Sequence, residues 1–227
     1  MGLSIAVFVP EGIIIGCDNQ AEVNNADDGY IQSKQTKIFS FADKYLINVI
    51  GTGFLKGLPY AYHVEKIFHM ISDRIFESTR EFAVSFDEKF SKLLDNSERV
   101  SYYIAGIDSS KDTVFEPTIF FVENKQMYQI NKGIDGDIVY NYHAVGNSVW
   151  MDKLILPTTA QINEKESISL EEALIDFSKY SKENAIDFIK TMLSISNTMD
   201  SLAQLRPRVG SSYNMGILSL NSTIKIV

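Results

Sequence analysis

Apolar runs and turn residues alternate along the chain in two distinct rhythms. Leu3–Val9 is apolar and stops at Pro10-Glu11-Gly12, and Gly12–Asp18 resumes with Ile13-Ile14-Ile15. Two such runs joined by so short a turn predict a hairpin. Asn19–Tyr30 is rich in Asn and Asp and predicts a loop, whereas Gln35–Phe41 and Tyr45–Ile50 predict a second hairpin around Ala42-Asp43-Lys44. The period then changes. Val64, Ile67, Phe68, Ile71 and Ile75 fall at helical spacing and predict an amphipathic helix over Leu55–Phe76. Phe86, Phe90, Leu93 and Leu94 predict a second helix that closes at Asp95-Asn96-Ser97.

Strand-like runs return at Val100–Ile107, Thr118–Val122, Gln126–Asn131 and Val139–Val145. Helices are expected again after Ser148. Ser169-Leu170-Glu171-Glu172 has the form of a capping box, with Ser169 as N-cap and Glu172 reaching back. Leu174, Phe177, Ile186, Ile189, Leu193 and Ile195 carry the helical signal to about Leu202, and Tyr213–Leu220 with Thr223–Val227 predicts a closing hairpin. Strands and helices are therefore segregated, which argues against a parallel α/β sheet. Ten expected strands need two sheets, and two groups of helices can cover their outer faces. With no linker, internal repeat or low-complexity tract, the chain reads as one domain over residues 1–227.

Composition narrows the partners. The formal net charge is −8, and an acidic surface repels phosphate backbones, which excludes nucleic acid as an expected partner. Cys17 is the one cysteine among 227 residues, so no internal disulfide can form, as suits a reducing cytosol. Met1–Val9 lacks the basic segment and cleavage site of a signal peptide, and no apolar run approaches the ~20 residues of a membrane helix. A cytoplasmic protein is expected.

Local sequence adds a resemblance. Gly12-Ile13-Ile14-Ile15-Gly16-Cys17-Asp18 is similar to the glycine turn and the Asp-terminated second strand of proteasome β-subunits and their bacterial relatives. Gln35-Thr36-Lys37-Ile38-Phe39 resembles their lysine-led third strand, and Asn48-Val49-Ile50-Gly51-Thr52-Gly53 their apolar strand running into a glycine turn. Gly146-Asn147-Ser148 resembles the Gly-Ser-Gly turn after the eighth strand, and Val209-Gly210 the step before the last hairpin. The motifs are individually weak. Their order and spacing span nearly the whole chain.

The resemblance implies a four-layer α-β-β-α sandwich of the Ntn-hydrolase fold, in which two stacked antiparallel sheets are flanked by helices. It also implies a chemistry. A Thr, Ser or Cys at the mature N-terminus attacks an amide carbonyl while its own α-amine helps take the proton. A buried lysine assists, a strand-end Asp holds the lysine, and glycine-turn N–H groups stabilise the oxyanion. Carried over, Lys37 is the lysine, Asp18 its carboxylate, and Gly51 lies near the oxyanion donors. The nucleophile position falls on Gly2, which has no side chain. Three readings of Gly2 stay open: a native glycine in an inactive subunit, a recombinant start site that replaced a Thr or Ser, or processing after Leu3 that exposes Ser4. Asn147 stands where the family has the serine of its turn. The downstream Asp that assists the amine has no secure match; Arg206 falls near its place and Asp200 is the nearest acidic residue.

Other candidates read more simply. Lys37 reads equally as a strand-edge surface lysine, and Asp18 as a turn residue. Cys17 lies mid-strand and reads as a small core residue. His63 and His69 do not share a helical face, so zinc is not expected, and His143 reads as a satisfied strand residue. No cofactor or metal is expected; the acidic stretch Asn24–Gly29 reads most simply as a solvated loop, with cation binding as the weaker alternative. The resemblance implies a homo-oligomer, ring-shaped by preference, with a peptide or amide substrate if it is active. The expected helix with Tyr60, Tyr62, Phe68 and Met70 beside its core stripe carries more apolar surface than one face needs, as an interface would. A catalytically inactive assembly subunit is the competing function, and an unrelated binding module of similar shape is a third.

Overall fold

The computed structural model describes residues 2–24, 30–51, 53–95, 100–109, 115–146, 159–163, 166–169, 175–202, 212–220 and 224–227. In chain order the elements are β1 (Leu3–Val9), β2 (Gly12–Asp18), β3 (Gln20–Asn24), β4 (Tyr30–Lys34), β5 (Ile38–Phe41), β6 (Tyr45–Ile50), β7 (Phe54–Leu55), β8 (Leu58–Pro59), α1 (Tyr60–Ile71) and α2 (Thr79–Phe90). They continue with β9 (Ser101–Ser109), β10 (Phe115–Glu123), β11 (Gln126–Gln129), β12 (Tyr142–Gly146), β13 (Thr159–Asn163), β14 (Glu166–Ser169), a 3-10 turn at Phe177–Lys179, α3 (Lys182–Leu202), β15 (Tyr213–Ser219) and β16 (Lys225–Ile226). Two five-stranded sheets dominate, ordered β12-β1-β2-β15-β16 and β11-β10-β9-β6-β5, and every pairing in them is antiparallel.

Period-2 alternation sends the two faces of each sheet into different apolar clusters. On β1, Leu3, Ile5, Val7 and Val9 join Phe177, Ala185, Phe188, Ile189 and Leu193 of the α3 region. Ala6 and Phe8 of the same strand, with Ile13 and Ile15 of β2, meet Leu46, Ile50, Tyr103, Ala105, Ile119 and Phe121 of the other sheet. The far side of that second sheet, through Tyr45, Ile47, Val49, Tyr102 and Ile104, packs on Val64, Ile67 and Ile71 of α1 and Phe82, Phe86 and Phe90 of α2. Aromatic rings are concentrated there: Tyr45 and Phe82 stack with centroids 4.1 Å apart. The ten strands of the two sheets match in place the ten expected from periodicity, and burial on both faces explains why β1, β2 and β6 read as continuous apolar runs.

Several expectations need correction. Asn19–Tyr30 is not simply a loop, because β3 and β4 form an antiparallel hairpin. The Asn and Asp content beside Gln20-Ala21-Glu22-Val23-Asn24 outweighs the alternation within it. Thr159–Asn163 and Glu166–Ser169 pair as strands where helix is expected, so Ser169 ends a strand. The capping box stands instead at Ser181: its Oγ accepts the Asn184 N–H at 3.2 Å, and Asn184 Oδ1 accepts the Ser181 N–H at 3.2 Å. The first helix is shorter than Leu55–Phe76, because Lys56 and Gly57 take positive φ and turn β7 into β8 before Pro59. It ends at Ile71, so Ile75 lies beyond it and is 92% exposed. The second helix starts earlier than its Phe86–Leu94 signal, at Thr79, capped by Ser78 Oγ on the Glu81 N–H and by Asp108 on the Thr79 N–H at 2.6 Å.

Candidate functional site

Four chain segments converge where β1 begins. β2 ends in Asp18, the segment leading into β5 supplies Lys37, β6 runs out into Gly51, and Gly2 precedes β1. Antiparallel pairing of β1 with β2 places Ser4 opposite Cys17, so Gly2 falls beside Asp18. Asp18 Oδ1 accepts the Leu3 N–H at 2.9 Å, and Lys37 Nζ lies 3.5 Å from Asp18 Oδ2. Both side chains are buried, at 2% exposed for Asp18 and 3% for Lys37. An ion pair so far from water needs its remaining polar atoms satisfied as well, and the Leu3 amide meets part of that need.

The cleft here is lined by Gly2, Leu3, Ser4, Cys17, Asp18, Lys37, Val49, Ile50 and Gly51, and it has no room for a water molecule. The space beside Gly2, where the resemblance would put a nucleophile, is already filled. A Cβ built on Gly2 would sit 1.8 Å from Asp18 Oδ1 and 2.5 Å from Asp18 Cγ. The carboxylate is pinned by the Leu3 amide and Lys37, so it cannot swing away without losing both. Opposite, Gly146 has φ +103°, and a side chain on it would strike the Gly2 carbonyl oxygen at 1.9 Å. Glycine is thus required at Gly146 for its backbone and for the approach of β1.

Other nucleophiles are muted. Burial pushes the Cys17 thiol up to about 12, with Lys37 opposing, so Cys17 stays protonated. Ser4 is buried, and its hydroxyl is hydrogen-bonded to Asn48 Oδ1 on the facing sheet. Asn48 also donates from Nδ2 to the Lys37 carbonyl at 3.1 Å. The sequence pattern does not single out Asn48 for this place. The available signal is a lone amide amid the apolar residues of Tyr45–Ile50, all of them buried. Asn147, Arg206 and the Val209-Gly210 step lie outside the described residues, as does the side chain of Asp200.

Two of the three histidines make buried or half-buried hydrogen bonds, and His69 is exposed. His63 Nε2 is 2.8 Å from the Leu55 carbonyl oxygen. His143 Nδ1 is 2.8 Å from the Tyr103 hydroxyl, and burial lowers the His143 pKa while Glu123 opposes the shift. Among the described residues no cluster of His, Cys, Asp or Glu could hold a metal ion, and no helix is long and apolar enough to cross a membrane.

Among solved structures, the chain is similar to Anbu, an ancestral beta-subunit, from Yersinia bercovieri, with a TM-score of 0.57. The alignment covers 94% of this chain and 80% of that one. The fold is proteasome-like. Identity over that alignment is 11%, so the likeness shows the fold alone. No family model matches the chain, and no curated protein matches it.

Proposed function

We propose that the chain is a subunit of a proteasome-related assembly in which the Ntn-hydrolase framework is kept and peptide hydrolysis is absent. On this reading the three apolar clusters are the seams of a four-layer α-β-β-α sandwich, with α1 and α2 outside one sheet and α3 outside the other. The observation that carries the proposal is the overlap at Gly2: the volume a nucleophile's Cβ would fill is taken by a pinned Asp18 carboxylate. The Lys37–Asp18 pair is the part of the framework that is kept, and the cleft around it has no room for a water molecule. Lys37, Asp18, Gly51 and Asn147 are then inherited positions rather than working catalytic groups, and the subunit serves assembly in a homo-oligomer of the cytoplasm.

The buried Lys37–Asp18 pair also favours a second reading, an active hydrolase of peptides or amides whose residue 2 is Thr, Ser or Cys in the mature chain. One experiment separates the two. The N-terminal residue is identified by mass spectrometry, and the same preparation is assayed on a panel of fluorogenic peptide amides. The assembly reading expects Gly2 and no turnover. Hydrolysis by the chain with Gly2, lost in Lys37→Ala, would sink it.

A further inference from the structure

Polar side chains cross the largely apolar seam between the sheets at Tyr103 and His143, at Lys37 and Asp18, and where Ser4 meets Asn48. The seam is otherwise built from Ala6, Phe8, Ile13, Ile15, Leu46, Ile50 and their neighbours. Ser4 belongs to β1 of one sheet and Asn48 to β6 of the other, and they are 1% and 0% exposed. The Ser4 hydroxyl hydrogen-bonds to Asn48 Oδ1 and lies 3.5 Å from the Gly16 carbonyl oxygen. The amide orientation of Asn48 is decided by its other end. Nδ2 faces the Lys37 carbonyl oxygen at 3.1 Å, and a flipped amide would set two acceptors against each other there. The same carbonyl accepts the Val49 N–H at 2.8 Å. Two donors from β6 therefore hold the main chain of the residue whose ammonium faces Asp18.

We infer that Asn48 is the positioning residue of the buried site: through Ser4 it fixes how the two sheets meet beside the Gly2 end of β1, and through the Lys37 carbonyl it aims Lys37 at Asp18 and keeps the cleft closed. A polar pair in an apolar seam has a definite register, because sliding the sheets leaves both partners buried without a bond. Apolar side chains alone would tolerate such a slip. This role holds whether or not the chain hydrolyses anything.

Cys17 makes the inference testable. It is the one cysteine of the chain, it is buried, and it pairs with Ser4 across the β1–β2 ladder. Native-state modification of its thiol by iodoacetamide reads the openings that expose this place, local or global, provided the protein recloses faster than the reagent reacts. Ser4→Ala deletes a single oxygen and is expected to raise the modification rate about tenfold, as loss of one buried hydrogen bond from an opening equilibrium does. Asn48→Ala is expected to raise it further, and Ser4→Thr, which keeps the hydroxyl, to restore a rate near that of the unaltered chain. The reference is Phe90→Leu, on the outer seam under α2, with the unfolding free energy of each variant measured alongside. Rates for Ser4→Ala and Asn48→Ala that follow global stability on the same line as Phe90→Leu would overturn the inference, and so would equal rates for Ser4→Thr and Ser4→Ala. An Asn48→Ala chain that does not fold leaves the Ser4 pair of variants to decide it.

Discussion

Asp18 holds three neighbours at once: the Leu3 amide, the Lys37 ammonium and the empty Cβ position of Gly2. Each relation predicts a substitution. Lys37→Ala leaves a buried carboxylate without its cation, and a loss of roughly 3–5 kcal/mol in urea-unfolding stability is expected. Lys37→Met together with Asp18→Asn removes both charges and should recover much of that loss; a double variant as unstable as Lys37→Ala would show that the charges are not paired. Gly2→Thr, with Met1 removed, forces the carboxylate from its place, and about 1–3 kcal/mol of destabilisation is expected from the added atoms. No peptide hydrolysis is expected from it, because the new hydroxyl would meet an Asp18 carboxylate displaced from Lys37. Measured turnover by that variant would restore the hydrolase reading. His143 predicts a pH dependence. Its pKa in the fold lies below the ordinary 6.5, so between the two values the unfolded chain binds more protons. Stability should then fall as pH drops through that window and level off below the folded pKa, and His143→Gln should flatten this slope in unfolding curves. At this scale the sequence points to Gly2, Asp18, Lys37 and Gly51 through their resemblance to a known pattern. It does not show that Asp18 fills the space beside Gly2, because that depends on how β1 and β2 pair.

Among the elements, the sheets meet their neighbours across glycines. A Cβ on Gly16 of β2 would lie 2.3 Å from Ile189 Cγ2 on α3. One on Gly216 of β15 would lie 2.6 Å from Leu46 Cδ1 on the facing sheet. Neither position takes a left-handed φ; what constrains them is packing, since tightly filled interiors respond to one added methyl. Gly16→Ala and Gly216→Ala are each expected to cost about 1–3 kcal/mol, read as a drop in the unfolding midpoint. The two sites face opposite seams but are diagonal neighbours on the paired strands β2 and β15, so the cost of a double variant is expected to depart from the sum of the singles, the difference showing coupling through that ladder. The strands of both sheets are legible in the sequence because their apolar runs are long and bounded by turns. Helix limits are less so: Ser78 and Ser181 start α2 and α3 through side-chain hydrogen bonds that carry little weight in a periodicity count. The β13–β14 pair escapes the pattern because its short strands carry too few apolar residues for either period to dominate.

At the scale of the whole molecule, the question is what covers the outer layer. The sequence suggests surplus apolar surface on the first helix, and the structure reduces that surplus. Tyr60 is 1% exposed and Phe68 packs beside the cluster under α1, whereas Tyr62 and Met70 stay 50% and 59% exposed. Much of the expected surplus is thus consumed by the chain's own core, which a count of apolar residues along a helix cannot distinguish from an interface. What remains still bears on assembly. Tyr62 and Met70 lie about two turns apart on one helix, with exposed Glu65, Lys66 and His69 between them, a mixed apolar and polar face that an interface could use. The proposed assembly therefore predicts that light scattering at micromolar concentration gives a particle several times the 25.6 kDa of one chain, closed rather than open-ended, since closed point groups dominate soluble assemblies. Tyr62→Glu with Met70→Glu changes only solvent-facing side chains of α1, so the fold should persist while the particle mass falls. A particle unchanged by that pair would move the interface to another surface. A monodisperse 25.6 kDa species from the unaltered chain would remove the proposed assembly altogether.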